Sequence, residues 1–254
     1  MDDEGDEMMK KITKTTLEKW DACADGYARF NELFPRGADL KTASEGLIKD
    51  GHPDWSNWLW SRCKQDDDYI EQTVVTAGTH GTATAGDEGT ATAGDEGTAT
   101  AGYRGTATAG YRGIATAGDR GAAIAGDFGN AIAGYRGTAT AGNHGTTIAG
   151  NDGSATAGNY GTATAGYSGT ATAGYRGIAT AGDRGAAIAG DFGNAIAGYR
   201  GTATAGEEGC ISIQFWNKEK EKYCRKIGLV TDGQLKANTP YKLDENGEFI
   251  EVTK

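Results

Sequence analysis

Between Ala77 and Thr204 the chain repeats one octad, Ala-Gly-x-y-Gly-Thr-Ala-Thr, sixteen times without an insertion or deletion. Strict tandem repetition restricts the fold to an array in which each unit buries its apolar side against its neighbours. Two glycines in every eight residues argue against helix, because each costs about 1 kcal/mol in a helix interior relative to alanine. The alternation Thr-Ala-Thr-Ala, bounded by Gly on both sides, has the period of a short strand between tight turns. Glycine supplies 42 of 254 residues, but three prolines and an eight-residue period fit neither collagen nor a flexible Gly-rich segment.

Two octads make a natural coil of sixteen residues with two strands and two corners. The tract therefore predicts a mainly β fold: a single-chain β-solenoid of about eight 16-residue coils, a rod of roughly 35–40 Å at the ~4.8 Å strand spacing. Octad position 1 is Ala in all sixteen units and position 7 is Ala in all but one, where Thr147 stands. Positions 6 and 8 mix Thr with Ile114, Ala122, Asn130, Ile132, Ile148, Ser154, Ile178, Ala186 and Asn194. Uniform alanine predicts a crowded interior, and a site that accepts Asn, Ser, Thr or Ile predicts the outside. The opposite orientation gives a thicker core but must satisfy many buried hydroxyls.

Every second corner begins with Asp87, Tyr103, Asp119, Tyr135, Asn151, Tyr167, Asp183 or Tyr199, and its second position includes Arg104, Arg120, Arg136, Arg184 and Arg200. Stacked coils set Arg beside Asp and Tyr of the coils above and below, pairs worth tenths of a kcal/mol when purely structural. The same residues form a ridge suited to partner contact, and the candidate contact set is Tyr103, Arg104, Arg120, Tyr135, Arg136, Tyr167, Arg184, Tyr199 and Arg200. Thr90, Thr92, Thr106, Thr108, Thr138, Thr140, Thr170, Thr172, Thr202 and Thr204 make a candidate Thr-ladder face. Residues 105–142 recur unchanged at 169–206. A tract grown by duplication supplies no single unsymmetrical constellation for catalysis.

The flanks read as endings for the array. Residues 1–14 are a charged, acidic tail expected to be disordered, 15–68 a helical domain, 69–209 the solenoid and 210–254 an antiparallel β-meander cap. In the helical domain, Thr15-Thr16-Leu17-Glu18 has the form of a capping box, and Leu17, Trp20, Ala24, Tyr27 and Phe30 follow at helical spacing in a first helix of about 18 residues. Asp39 is placed to cap a second helix carrying Leu40, Ala43, Leu47 and Ile48. Asp54 is placed to cap a third, with Trp55, Leu59 and Cys63 on one face and Trp58 beside it. Three amphipathic helices with four tryptophans make a small bundle whose aromatics are core and seam against the first coil, with Trp55 and Trp58 as candidate partner anchors. The run Asp66-Asp67-Asp68 reads as a solvated linker. From Cys210 onward, turns at Asp232-Gly233 and Glu245-Asn246-Gly247 divide short strands that cover the open last coil.

No enzyme signature is present. His52, His80 and His144 lack a nucleophile or metal partner at recognisable spacing, no Gly-Lys-Ser/Thr follows the Gly-x-x-Gly segments, and no cofactor is implied. The net charge of −10 divides unevenly, with 17 acidic and 10 basic residues in 1–76, 11 and 7 in 77–209, and 7 and 8 in 210–254. Without a basic stripe, direct nucleic-acid binding is disfavoured. Cys23, Cys63, Cys210 and Cys224 show no CxxC pairing and indicate a reducing compartment. Neither a basic-then-apolar leader nor a run of ~20 apolar residues occurs, so the expected location is cytoplasmic with no membrane association.

The segments Ala-Gly-Tyr-Arg-Gly at 101–105 and Ala-Gly-Tyr-Arg-Gly-Ile-Ala-Thr-Ala-Gly-Asp-Arg-Gly at 109–121 resemble the repeats of bacterial ice-nucleation proteins, which share this spacing in sixteen-residue units. The resemblance covers about half the chain, in the repeat tract only, and implies a β-solenoid with ordered water on Thr-x-Thr ladders. The ladder departs from that pattern at Ile114, Ala122, Asn130, Ile132, Ile148 and Ala186. The Ala-Ile-Ala-Gly units at 123–126 and 187–190 also look like the left-handed roll of trimeric adhesin heads. The expected function is that of a non-enzymatic interaction or scaffold protein with a protein partner and a tendency to homodimerise. One form of it is a phage- or mobile-element-encoded inhibitor of a host enzyme acting by partial nucleic-acid mimicry. The alternative is ice or ordered-surface binding.

Overall fold

The computed structural model of the chain describes residues 11–63, 65–66, 74–231 and 235–252. Strands β1 (Val74–Ala77) and β2 (Thr82–Thr84) open a β-solenoid that runs to β17 (Thr202–Ala205) and β18 (Cys210–Asn217). Successive strands alternate between two sheets, odd-numbered in one and even-numbered in the other, so these eighteen strands form nine coils. The count exceeds the eight expected because Val74–Ala77, which shares only Ala77 with the octads, and Cys210–Asn217, which lies outside them, supply strands to the first and last coils. Each strand from β1 to β16 pairs in parallel with the strand sixteen residues on, as in Thr90 with Thr106 and Ala91 with Ala107.

The interior is alanine. Ala91, Ala107, Ala139 and the other position 7 alanines are buried, as are the position 1 alanines after the half-buried Ala77, whereas positions 6 and 8 alternate outward. Close approach enforces this choice. A Cβ added to Gly105 would lie 2.8 Å from Ala101 Cβ and 2.9 Å from the Gly89 carbonyl of the preceding coil. Methyl groups bury little apolar area, so main-chain bonds between coils carry much of the cohesion, such as Thr98 N–H to Gly81 O at 2.9 Å. Thr147 is the one polar core side chain of the array, and among the described residues its buried Oγ1 has no hydrogen-bond partner.

Both ends are closed. At the C-terminal end, Ile211 and Ile213 take the inward sites that alanine holds elsewhere, and Val230 and Tyr241 of the cap are buried as well. The cap is not a single meander. Strand β19 (Lys222–Leu229) extends the even sheet as the antiparallel partner of β18, while β20 (Tyr241–Leu243) and β21 (Phe249–Glu251) extend the odd sheet beyond β17. Each sheet thus receives its own hairpin, and Lys222, Arg225 and Lys226 place charge on the β19 edge. The turn expected at Asp232-Gly233 lies outside the described residues.

At the other end four helices, not three, form the bundle: α1 (Lys14–Lys19), α2 (Ala24–Leu33), α3 (Leu40–Lys49) and α4 (Pro53–Cys63). The expected long first helix is divided at Asp21, whose φ of 54° leaves the helical region. Its capping box is Thr13 with Thr16, two residues before the expected Thr15–Glu18 pairing, since Thr13 supplies the extended cap residue. Asp39 caps α3 through Thr42 N–H at 2.9 Å. Pro53 rather than Asp54 opens α4, a position where the missing N–H leaves no bond unmade. Ile48 faces solvent, and Ser44 joins the buried face in its place, bonded to Ser56 at 2.6 Å and to Trp60 Nε1 at 3.0 Å. Trp60 is the seam to the solenoid, since a Cβ on Gly86 would come within 2.8 Å of its ring. Asp66 is not merely solvated linker: its Oδ2 accepts from Trp20 Nε1 and Lys19 Nζ, both at 2.8 Å. Asp67 and Asp68 lie outside the described residues, as do 1–10 of the expected tail.

Candidate functional site

Each corner is a four-residue turn from Gly to Gly, closed by bonds such as Gly105 N–H to Gly102 O at 3.1 Å. Its third residue carries a positive φ, between 53° and 59° at all seventeen corners from His80 to Glu208. Turns of this type ordinarily place glycine there, and an L-residue held left-handed costs roughly 1–2 kcal/mol. No corner of this chain uses glycine at that site; Arg, Glu, Phe, His, Tyr, Asp and Ser occupy it. The flanking glycines serve close approach instead: a Cβ on Gly150 would meet Gly134 O and Tyr135 N at 2.8 Å. The fold therefore projects a side chain at each corner against a backbone preference.

One edge of the rod gathers the residues predicted from the sequence. Tyr103, Tyr135 and Tyr167 are exposed, and Tyr199 is half-buried. Arg120 Nη1 reaches Tyr103 OH at 3.3 Å, Arg104 Nη1 lies 3.9 Å from Glu88 Oε1, and Arg136, Arg184 and Arg200 sit 5.6, 5.8 and 5.1 Å from the rings of Tyr135, Tyr167 and Tyr199. Arginine and tyrosine are brought together as expected, but the Asp and Asn side chains have another main partner. Asp119 Oδ1 accepts from Tyr135 N–H at 2.8 Å, and Asp87, Asn151 and Asp183 serve Tyr103, Tyr167 and Tyr199 likewise. The alternation of Asp/Asn with Tyr thus caps the main chain of the next corner. At the C-terminal end this edge meets Tyr223, 5.5 Å from Tyr199, and Trp216, 5.1 Å from Tyr223.

The opposite edge carries a second column that the sequence reading missed. Tyr111, Phe128, His144, Tyr160, Tyr175 and Phe192 form an unbroken series with ring centres 4.7–5.6 Å apart. Phe128, His144 and Tyr160 stack within 4° of parallel, and Arg176 lies 5.4 Å from Tyr175 and 5.5 Å from Phe192. The signal was the sixteen-residue spacing Phe128–His144–Tyr160, taken up again at Phe192, obscured because the column crosses between third and fourth octad positions at Tyr111 and Tyr175.

The two flat faces also differ. Every residue of the predicted ladder, Thr90, Thr92, Thr106, Thr108, Thr138, Thr140, Thr170, Thr172, Thr202 and Thr204, falls on the odd sheet, broken at Ala122/Ile124 and Ala186/Ile188. The even sheet exposes Ile114, Ile132, Ile148 and Ile178 among threonines of its own, and the odd sheet exposes Ile124 and Ile188 at its breaks. Trp55 and Trp58 stand apart from these surfaces, on α4 in the helical bundle, where they line a partly open pocket.

Among the described residues no cluster of three or more His, Cys, Asp or Glu could hold a metal ion, and no helix is long and apolar enough to cross a membrane. The four cysteines are free thiols. Residues 8–64, a span that includes the four helices, match the family of YdhT N-terminal domains. No curated protein and no solved structure matches the chain.

Proposed function

We propose that the protein is a non-enzymatic repeat protein whose rod holds the Tyr/Arg edge, Tyr103 to Arg200, against a protein partner. The observation that carries this reading is the left-handed corner residue. On this edge Arg104, Arg120, Arg136, Arg184 and Arg200 are held where glycine would relieve the backbone, three of them directly after an exposed or half-buried tyrosine, and tyrosine and arginine are the residue types that dominate binding energy in protein interfaces. One biological form is an inhibitor, encoded by a phage or other mobile element, that occupies a host enzyme in the cytoplasm. The arginines along this edge favour recognition through side-chain contact over nucleic-acid mimicry, which needs a regular row of negative charge. The exposed isoleucines of the even sheet support pairing of two copies. Affinity capture with the full chain, compared between wild type and a variant with Arg120, Arg136 and Arg184 replaced by Ala, tests the reading. A partner retained by the first and lost by the second supports it.

A second reading rests on the placement of all ten ladder threonines on one flat parallel sheet. Rows of hydroxyls at the coil spacing order water, and the resemblance to ice-nucleation repeats points the same way. Recrystallisation assays decide it: inhibition lost on Thr140→Leu and Thr172→Leu supports ice binding, and no inhibition by wild type at high concentration removes it.

A further inference from the structure

The helical bundle holds a partly open pocket of about 310 Å³ where α1, α2, α3 and α4 meet. Its floor is apolar, with Phe30 and Leu59 buried, and its walls are the half-buried indoles of Trp55 and Trp58. Both rings are held from outside the cavity. His52 stacks on Trp55 at 3.8 Å and 6° from parallel, and Trp58 is braced edge-on by Trp20 at 6.4 Å with Arg62 5.4 Å from its ring. Gly26 keeps the space open, because a Cβ there would lie 3.1 Å from Cys23 Sγ and 3.7 Å from the Trp55 ring. At the mouth stand the exposed carboxylates of Asp21 and Asp54. No basic side chain lines the cavity, and among the described residues neither Asp21 nor Asp54 forms an ion pair. Asp21 holds its place with φ at 54°, in the left-handed region.

We infer that this cavity binds an organic cation: an alkylated ammonium group on a short apolar stem, either a free small molecule or the side chain of a modified lysine. Indole rings attract such a cation and give its methyl groups an apolar contact that a hydrated metal ion or an unsubstituted ammonium lacks the groups to make. The two carboxylates select the positive sign, and the volume lies at the lower end of small-ligand pockets, ~300–1,000 Å³. The inference does not depend on the solenoid edge or its partner.

The test titrates the full chain with choline and with its neutral carbon isostere, 3,3-dimethylbutan-1-ol, followed by indole N–H resonances. A second arm uses a short peptide carrying trimethyl-lysine and the same peptide with the neutral tert-butyl analogue. The expected result is saturable binding of at least one cation, about tenfold or more tighter than its isostere, with shifts at Trp55 and Trp58; the tighter arm identifies the source. Asp21→Asn with Asp54→Asn weakens that binding about fivefold or more while leaving the melting temperature unchanged. Equal affinity for cation and isostere, binding unaffected by the paired Asn substitutions, or no saturation by either cation at tens of millimolar overturns the assignment.

Discussion

Tyr135 donates its main-chain N–H to Asp119 Oδ1 on the preceding coil at 2.8 Å. The bond ties one corner to the next through a side chain that the sequence alternates with tyrosine. Asp119→Ala leaves that N–H to water and lowers stability by about 0.5–1.5 kcal/mol. Asp119→Asn keeps an acceptor oxygen, as Asn151 does for Tyr167 at 3.0 Å, and changes stability by less than about 0.5 kcal/mol. Urea denaturation of both variants checks this; equal losses would show that the carboxylate charge, not the cap, matters.

The corner backbone separates two neighbouring positions. Gly121→Ala drives a Cβ to 2.8 Å from Gly105 O and 2.9 Å from Ala117 Cβ, so it lowers stability by about 1–3 kcal/mol. Arg120→Gly relieves a φ of 57° and, after the added freedom of the unfolded chain, changes stability by a gain of up to about 1 kcal/mol. Melting temperatures of the two variants should move in opposite directions.

Thr147 stands where the other octads have alanine, and its buried hydroxyl lacks a partner among the described residues. Thr147→Val keeps the shape and removes the unsatisfied oxygen, raising stability by about 1–2 kcal/mol. A destabilised valine variant in urea denaturation would mean that a partner satisfies the hydroxyl.

Burial, aided by the Asp66 carboxylate, pushes the Cys63 thiol up to about 12. An unfolded cysteine ionises near ~8.5, so above that pH the unfolded chain releases a proton that the folded chain retains. The stability this gives is whole below about pH 8.5 and declines as pH rises toward 12. At pH 8, iodoacetamide should label exposed Cys23 in the native protein and Cys63 only after unfolding. Equal rates for both would contradict the buried thiol.

The array was legible because its physics is local: Gly spacing set the corners, and invariant Ala at two positions marked the inside. What escaped depended on geometry that no octad states. The division of the first helix at Asp21 needs one left-handed residue in a segment whose apolar spacing is continuous. The aromatic column from Tyr111 to Phe192 needs neighbouring coils to bring third and fourth octad positions side by side. Pairing of aspartate with arginine seemed natural from charge, yet the nearer demand was the unpaired N–H of the next corner. The cavity beside Trp55 arises from four helices meeting, which periodicity within each helix cannot show.

The measurement that bears most directly on the central claim is quantitative affinity capture with the full chain and with the Arg120→Ala, Arg136→Ala, Arg184→Ala variant, read by mass spectrometry beside their melting curves. The account predicts a near-stoichiometric partner on wild type that is depleted at least tenfold on a variant of unchanged melting temperature. Recovery of the same proteins in the same amounts by both, or of none by wild type, would contradict it.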